Sequence, residues 1–183
     1  MSANTDGITV LMHKKSFDTF KDIVFKFEDL LNLKTKMTFY KSLHSQNVNS
    51  YIAVKEDNTI KIKGFLNTKN TNPQANIVKQ SVCNYVVNNI KIDDTFNIKT
   101  NTKDWVFGLS TTNGSFVKDA YAGINPRWIW SNGGDDIKDD RGHKLPFGKD
   151  ITLVKDLSQR VVPCKARYLD LALKAIDSFG LTY

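Results

Sequence analysis

Cysteine is scarce in this sequence of 183 residues, with only Cys83 and Cys164, and neither has a His, Cys or carboxylate partner at a metal-ligand spacing. A disulfide framework and a zinc ribbon are thereby excluded, and both thiols read as small core hydrophobes. No apolar run approaches the roughly 18 to 20 residues of a membrane helix, so no membrane span is expected. The first residues, Met1-Ser2-Ala3-Asn4-Thr5-Asp6, lack the basic lead and apolar stretch of a secretory signal. The expected compartment is therefore a reducing cytoplasm, that of a host cell if the chain is phage-encoded. His13, His44 and His143 show no i, i+4 pairing, which favours surface or packing roles over metal ligation. There is no internal repeat and no low-complexity tract.

Acidic residues are also in deficit, with 19 Asp and Glu against 26 Lys and Arg and a net charge of +7. That balance favours a polyanionic partner, of which nucleic acid is the commonest. The lysines form no dense run, so the same charge also describes a well-solvated surface. The length suits one sizeable domain or two small ones.

Hydrophobic periodicity predicts an α+β chain. Ile8 to Met12 is a β-branched run that reads as a buried strand after the turn chemistry of Asn4-Thr5-Asp6-Gly7. Ser16 is positioned to cap a helix reaching about Leu33, in which Phe17, Phe20, Val24, Phe27, Leu30 and Leu31 recur at helical spacing and Asp18 occupies the first turn. Met37 to Leu43 alternates as a strand, and Tyr51 to Val54 and Thr59 to Lys63 form a hairpin about the polar turn Lys55-Glu56-Asp57-Asn58. After the break at Asn72-Pro73, a second helix ends near Asn88-Asn89 and a short one is expected over 91–98. Beyond Asn101 the texture turns to short aromatic strands, Trp105-Val106-Phe107 and Trp128-Ile129-Trp130, then a strand at Ile151 to Val154. Pro163 precedes a last helix from about Lys165 to Phe179, closed by Gly180. The softest boundary is the polar stretch 66–73, which divides a region 1–66 from a region 72–183.

The segment that carries chemistry is Asn4-Thr5-Asp6-Gly7, where a tight turn beside a strand presents the Asp6 carboxylate at a sheet edge. Such a carboxylate is suited to ligating the divalent ions of phosphoryl transfer. Taken by itself, an Asp in a turn is more often plain turn chemistry. Further along stand Phe39-Tyr40-Lys41-Ser42-Leu43, then Asn47 to Val54, then Lys61-Ile62-Lys63-Gly64. A pair of strands carrying lysine and an aromatic side chain suits sequence-independent contact with duplex phosphates and the minor groove. The acidic loop of Asp135, Asp136, Asp139 and Asp140 lacks the spacing of a calcium-binding loop and reads as a solvated loop. Trp128, Trp130 and Phe147 could stack on bases, although aromatics at strand period are more often core.

Together these segments resemble the C-terminal part of a phage-type family-B DNA polymerase, closely over residues 2–64 and as a pattern of elements over 72–180. The resemblance implies a partial palm, a β-α-β unit with a hairpin over 1–66, followed by a mixed helical and β-rich thumb-side region over 72–183. Asp6 matches the metal-binding aspartate of the third polymerase motif, Thr5 and Gly7 shape its turn, and Lys41, Tyr51, Lys61 and Lys63 match the segment that grips primer-template DNA. Mg²⁺ is the implied cofactor, in a two-metal site completed by ligands from elsewhere, with dNTP bound in the assembled enzyme. Asn4 replaces the first aspartate of the motif, and Lys41 is followed two positions on by Leu43, where many members carry a Lys-x-Tyr signature. The chain begins inside the motif, so the expectation is that a separate N-terminal polymerase portion supplies the strand preceding the turn and the missing ligand. A noncatalytic DNA-binding or replication accessory protein derived from a polymerase thumb is the alternative. A nuclease joining Asp6 to the acidic loop is a third and weaker one.

Overall fold

The computed structural model describes residues 2–4, 7–47, 49–64, 73–99 and 101–183. Their architecture is mixed α+β, with five helices, one two-stranded sheet and three three-stranded antiparallel sheets among the described residues. The chain divides into two units, Met1–Lys61 and Ile62–Tyr183. Apart from Pro73, the polar stretch 66–73 lies outside the described residues.

The first unit opens with β1 (Ser2–Asn4) and β2 (Gly7–Thr9), an antiparallel pair in the register Ser2↔Thr9, Ala3↔Ile8, Asn4↔Gly7. This corrects the expectation of a buried strand from Ile8 to Met12 that lacks its partner. The strand stops at Thr9 and pairs with residues of its own chain, and Ile8 and Leu11 are 61% and 97% exposed. A two-stranded ribbon has no second layer to bury a face, so β-branched composition alone does not place a strand in a core.

A 3-10 turn at Lys14–Ser16 runs straight into α1 (Phe17–Leu31). Ser16 is already helical, at φ −96° and ψ −1°, and makes no side-chain capping bond, so the capping role expected of it is not filled. An N-cap needs extended backbone to aim its oxygen at the next turn, and the preceding 3-10 turn removes that geometry. At the other end Asn32 adopts φ 50°, and the Leu33 amide donates to the Glu28 carbonyl at 3.0 Å.

β3 (Tyr40–Asn47), β4 (Ser50–Lys55) and β5 (Ile60–Lys63) form a sheet in the order β3-β4-β5. The central strand is the best buried, with Ile52 and Ala53 inaccessible. The β4–β5 connection is the polar turn read from the sequence. The Asp57 carboxylate accepts from the amide and hydroxyl of Thr59 at 2.9 and 2.7 Å, and Asn58 takes the left-handed conformation at φ 64°, a position Asn tolerates better than most residues.

The second unit contains α2 (Asn76–Asn88), α3 (Ile92–Ile98), α4 (Thr102–Trp105) and α5 (Lys165–Ser178). Between α4 and α5 lie β6 (Phe107–Gly108), β7 (Ser115–Val117), β8 (Ala120–Gly123), β9 (Arg127–Asp135), β10 (Ile137–Asp139) and β11 (Ile151–Leu153). They pair as β11-β9-β6 and β10-β7-β8. Trp105 does not lie in a strand, as its aromatic neighbourhood suggested, but ends the short helix α4. The Asn101 side chain accepts from the Lys103 amide at 3.1 Å, and this local cap starts a helical turn where strand propensity alone pointed to extended chain.

Tyr168 of α5 joins helices to sheet. Fully buried, its hydroxyl donates to the Trp105 carbonyl at 2.8 Å and accepts from the Trp130 amide at 3.0 Å. Around it pack Trp105, Phe107 and Trp130, with ring centroids 5.0 to 5.7 Å from its own. Burial of such rings, each removing 150 to 250 Å² from water, dominates a core of this size.

Candidate nucleic-acid interface

Asp6 and Thr5, the expected ligand and its neighbour, lie outside the described residues. Gly7 is exposed at the start of β2, opposite Asn4. Among the described residues no three His, Cys, Asp or Glu side chains are grouped to hold a metal ion.

The four expected DNA contacts fall on the sheet β3-β4-β5. In antiparallel strands, directly opposed residues share a face. Leu43↔Ala53 and Ser45↔Tyr51 therefore define one face. Lys61 joins it, because its ammonium lies 5.8 Å from the centre of the Tyr51 ring. Interaction with the Tyr51 hydroxyl, assisted by Tyr40, raises the Lys61 pKa above the ordinary lysine value, so its positive charge persists to alkaline pH. The period of β5 puts Lys63 on the same side of the strand as Lys61, and both are exposed. Lys41 stands at a register shift between Tyr40 and Ser42, where its ammonium donates to the Asn58 side chain at 2.6 Å.

The structure thus brings Tyr51 and Lys61 into contact and ties Lys41 to the β4–β5 turn. Two participants were not singled out from the sequence. Asn58 fixes Lys41, and its signal was its place in the polar turn. Tyr40 assists Lys61, and its signal was an aromatic next to a predicted lysine contact. Cationic heads on a rigid sheet can meet phosphates at low conformational cost, while the Tyr51 ring adds an amphipathic contact.

The remaining singled-out residues have structural duties. Asp139 accepts from the amides of Arg141 and His143 at 3.0 and 2.8 Å and meets the His143 ring at 3.4 Å. Asp135 pairs with Lys118 at 2.9 Å, Asp136 with Lys144 at 2.7 Å, and Asp140 accepts from Asn113 at 2.7 Å. Lys144 beside it holds the Asp136 carboxyl below its usual range. His44 faces Ile52 across the strands, and burial lowers its pKa. Trp128 and Trp130 are core residues at 1% and 5% exposure, whereas Phe147 is 37% exposed. No helix among the described residues is long and apolar enough to cross a membrane. No family model matches the sequence, and no curated protein is similar to it at a significant level.

Proposed function

We propose that the chain is the C-terminal portion of a phage-type family-B DNA polymerase, a partial palm followed by a thumb-side region, that works with an N-terminal polymerase portion as a separate chain. The observation that carries this reading is the strand register. Ser2–Asn4 pairs antiparallel with Gly7–Thr9, as paired strands flank the metal-binding carboxylate motif of such polymerases, and Asp6 is the carboxylate of that motif in the sequence. The helix and the lysine-bearing sheet that follow agree with a palm leading into a DNA-gripping segment.

Magnesium takes hard oxygen donors, and the Asp6 carboxylate is of that kind. The motif's other aspartate position holds Asn4, so this segment offers one carboxylate and the remaining ligands come from the N-terminal portion. When bound in the assembled enzyme, a magnesium pair supplies activation of the primer 3′-hydroxyl and neutralisation of the phosphates of the incoming dNTP. The chain's own residues hold the duplex. Lys41, Lys61 and Lys63 contact phosphates, Tyr51 lies along the minor groove, and Thr5 and Gly7 shape the turn that fixes Asp6.

Primer extension with Mg²⁺ tests this, using the chain alone, then with the N-terminal portion added, each beside Asp6→Ala. The expected result is activity only in the mixture and its loss in the variant. An inactive mixture, with DNA binding indifferent to Asp6→Ala, would instead support a noncatalytic DNA-binding accessory protein.

A further inference from the structure

A cleft opens beside Phe147 in the unit Ile62–Tyr183. It measures about 470 Å³ and is lined by Trp130, Phe147, Arg167, Asp170, Leu171 and Lys174, a volume within the usual range for small-ligand sites. Its aromatic wall is the end of an ordered set of rings. Phe107 lies near-parallel to Tyr168, at 19° and 5.7 Å, and near-parallel to Phe147, at 20° and 4.9 Å. Exposure rises along that set from 0% at Tyr168 to 1% at Phe107 and 37% at Phe147. The outermost residue of the set is therefore backed by the core on Phe107 and is itself exposed.

The backbone fixes that ring in an unusual way. Phe147 has φ 59°, a left-handed conformation that is rare for a bulky residue. Its carbonyl accepts from two indoles at once, Trp128 Nε1 at 3.0 Å and Trp130 Nε1 at 2.8 Å. The next residue is glycine by necessity, since a Cβ at Gly148 would sit 2.7 Å from the Ile137 side chain. A left-handed bulky residue over-determined by its surroundings is a feature that gathers at ligand sites.

Polar groups rim the cleft. The Arg167 guanidinium stacks over the Trp130 ring at 4.5 Å, anchored by the Lys149 carbonyl at 2.6 Å and by Asp150 at 3.4 Å. Lys174 and Asp170 pair at 2.7 Å, with side chains 71% and 63% exposed. An exposed aromatic residue beside a fixed guanidinium, an ammonium and a carboxylate offers stacking, a phosphate contact and an acceptor for a base N–H, such as N3–H of thymine. Those are the requirements of a nucleobase with its adjoining phosphate.

We infer that this cleft is a stacking site for an unpaired nucleotide of single-stranded DNA, with the base on Phe147 and the phosphate toward Arg167 and Lys174. The site shares no residue with the sheet assigned to duplex contacts and does not depend on polymerase activity.

The test is fluorescence anisotropy with labelled (dT)12 on the full chain, alongside quenching of tryptophan emission. Phe147→Leu keeps apolar bulk without the π face, and the expected loss of affinity is about tenfold, in line with one base–aromatic stack. Lys174→Glu, on the exposed side of α5, is expected to weaken binding several-fold and serves if Phe147→Leu fails to fold. Lys103→Glu, at an exposed lysine outside the lining of the cleft, controls for the same reversal of charge. Affinity unchanged in Phe147→Leu, or falling equally in Lys103→Glu and Lys174→Glu, overturns the stacking site in favour of diffuse electrostatics; so does a wild-type chain that does not bind (dT)12. Displacement by dTMP at matched nucleotide concentration supports the site and makes a free nucleotide its occupant; resistance to dTMP makes the occupant a strand.

Discussion

Tyr168 is the residue on which two layers of the second unit depend. Its hydroxyl both donates to Trp105 O and accepts from Trp130 N, and an unpaired buried backbone group costs about 1–3 kcal/mol. Tyr168→Phe keeps the ring and strands both groups, so a loss of about 2 kcal/mol or more is expected, read as a lower urea midpoint at unchanged slope. Burial also drives the Tyr168 pKa far above the ordinary tyrosine range and pushes the Cys83 thiol up to about 11. In both cases the unfolded chain releases its proton first. Stability is therefore fully present below pH 9 and falls as pH rises from 9 through about 11, the reverse of a carboxylate stabilised as an anion. Urea midpoints across that window should decline, and Cys83→Ala should flatten part of the decline. A thiol reagent at pH 8 should modify the half-buried Cys164 in the native chain and reach the buried Cys83 only after unfolding.

Two helices of similar length and clear apolar spacing differ in what covers them. α2 buries Ile77, Val78 and Val82 at 0% to 2% exposure, whereas in α1 Ile23, Phe27, Leu30 and Leu31 are 50% to 78% exposed. Truncating Ile77→Ala should cost about 2–5 kcal/mol through lost burial and a cavity, while Leu30→Lys should change stability by no more than about 0.5 kcal/mol. Chemical denaturation of the two variants checks the contrast, and equal effects would mean that the α1 stripe is covered in solution. The same contrast explains what was legible in the sequence. Helical period located α1, α2 and α5, and left-handed Asn89 with Gly180 marked ends that turn chemistry made visible. Periodicity states which face is apolar, not whether anything packs on it, so the exposure of α1 and of Ile8 could not be read in advance. Trp105 was misassigned because strand propensity ignored the cap from Asn101. The lysine face was legible in part, since period 2 pairs Lys61 with Lys63. The tie between Lys41 and Asn58 was not, because it joins residues 17 apart. Nor was the backbone of Phe147, which is set by two tryptophans 17 and 19 residues away.

At the scale of the whole chain, a net charge of +7 gives any nucleic acid a general attraction, and the question is which part of the binding is built. Salt separates the terms. Each phosphate neutralised on duplex DNA contributes about 0.9 to the slope of log affinity against log salt. Replacing Lys41 and Lys61 together by alanine should therefore flatten the duplex slope by about 2 if both meet phosphates. The raised pKa of Lys61 makes its contribution less sensitive to alkaline pH than that of an ordinary lysine. Stacking on Phe147 releases no counterions, so Phe147→Leu should lower single-strand affinity by the same factor at every salt concentration and leave the slope unchanged. Titrations of duplex and (dT)12 between 50 and 200 mM NaCl measure both quantities. A duplex slope untouched by the double lysine variant would mean that the +7 charge acts as a diffuse cloud and that the sheet is not the grip. Parallel single-strand lines for wild type and Phe147→Leu, together with a flattened duplex line for the lysine variant, would assign duplex phosphate contacts to Lys41 and Lys61 and base stacking to Phe147.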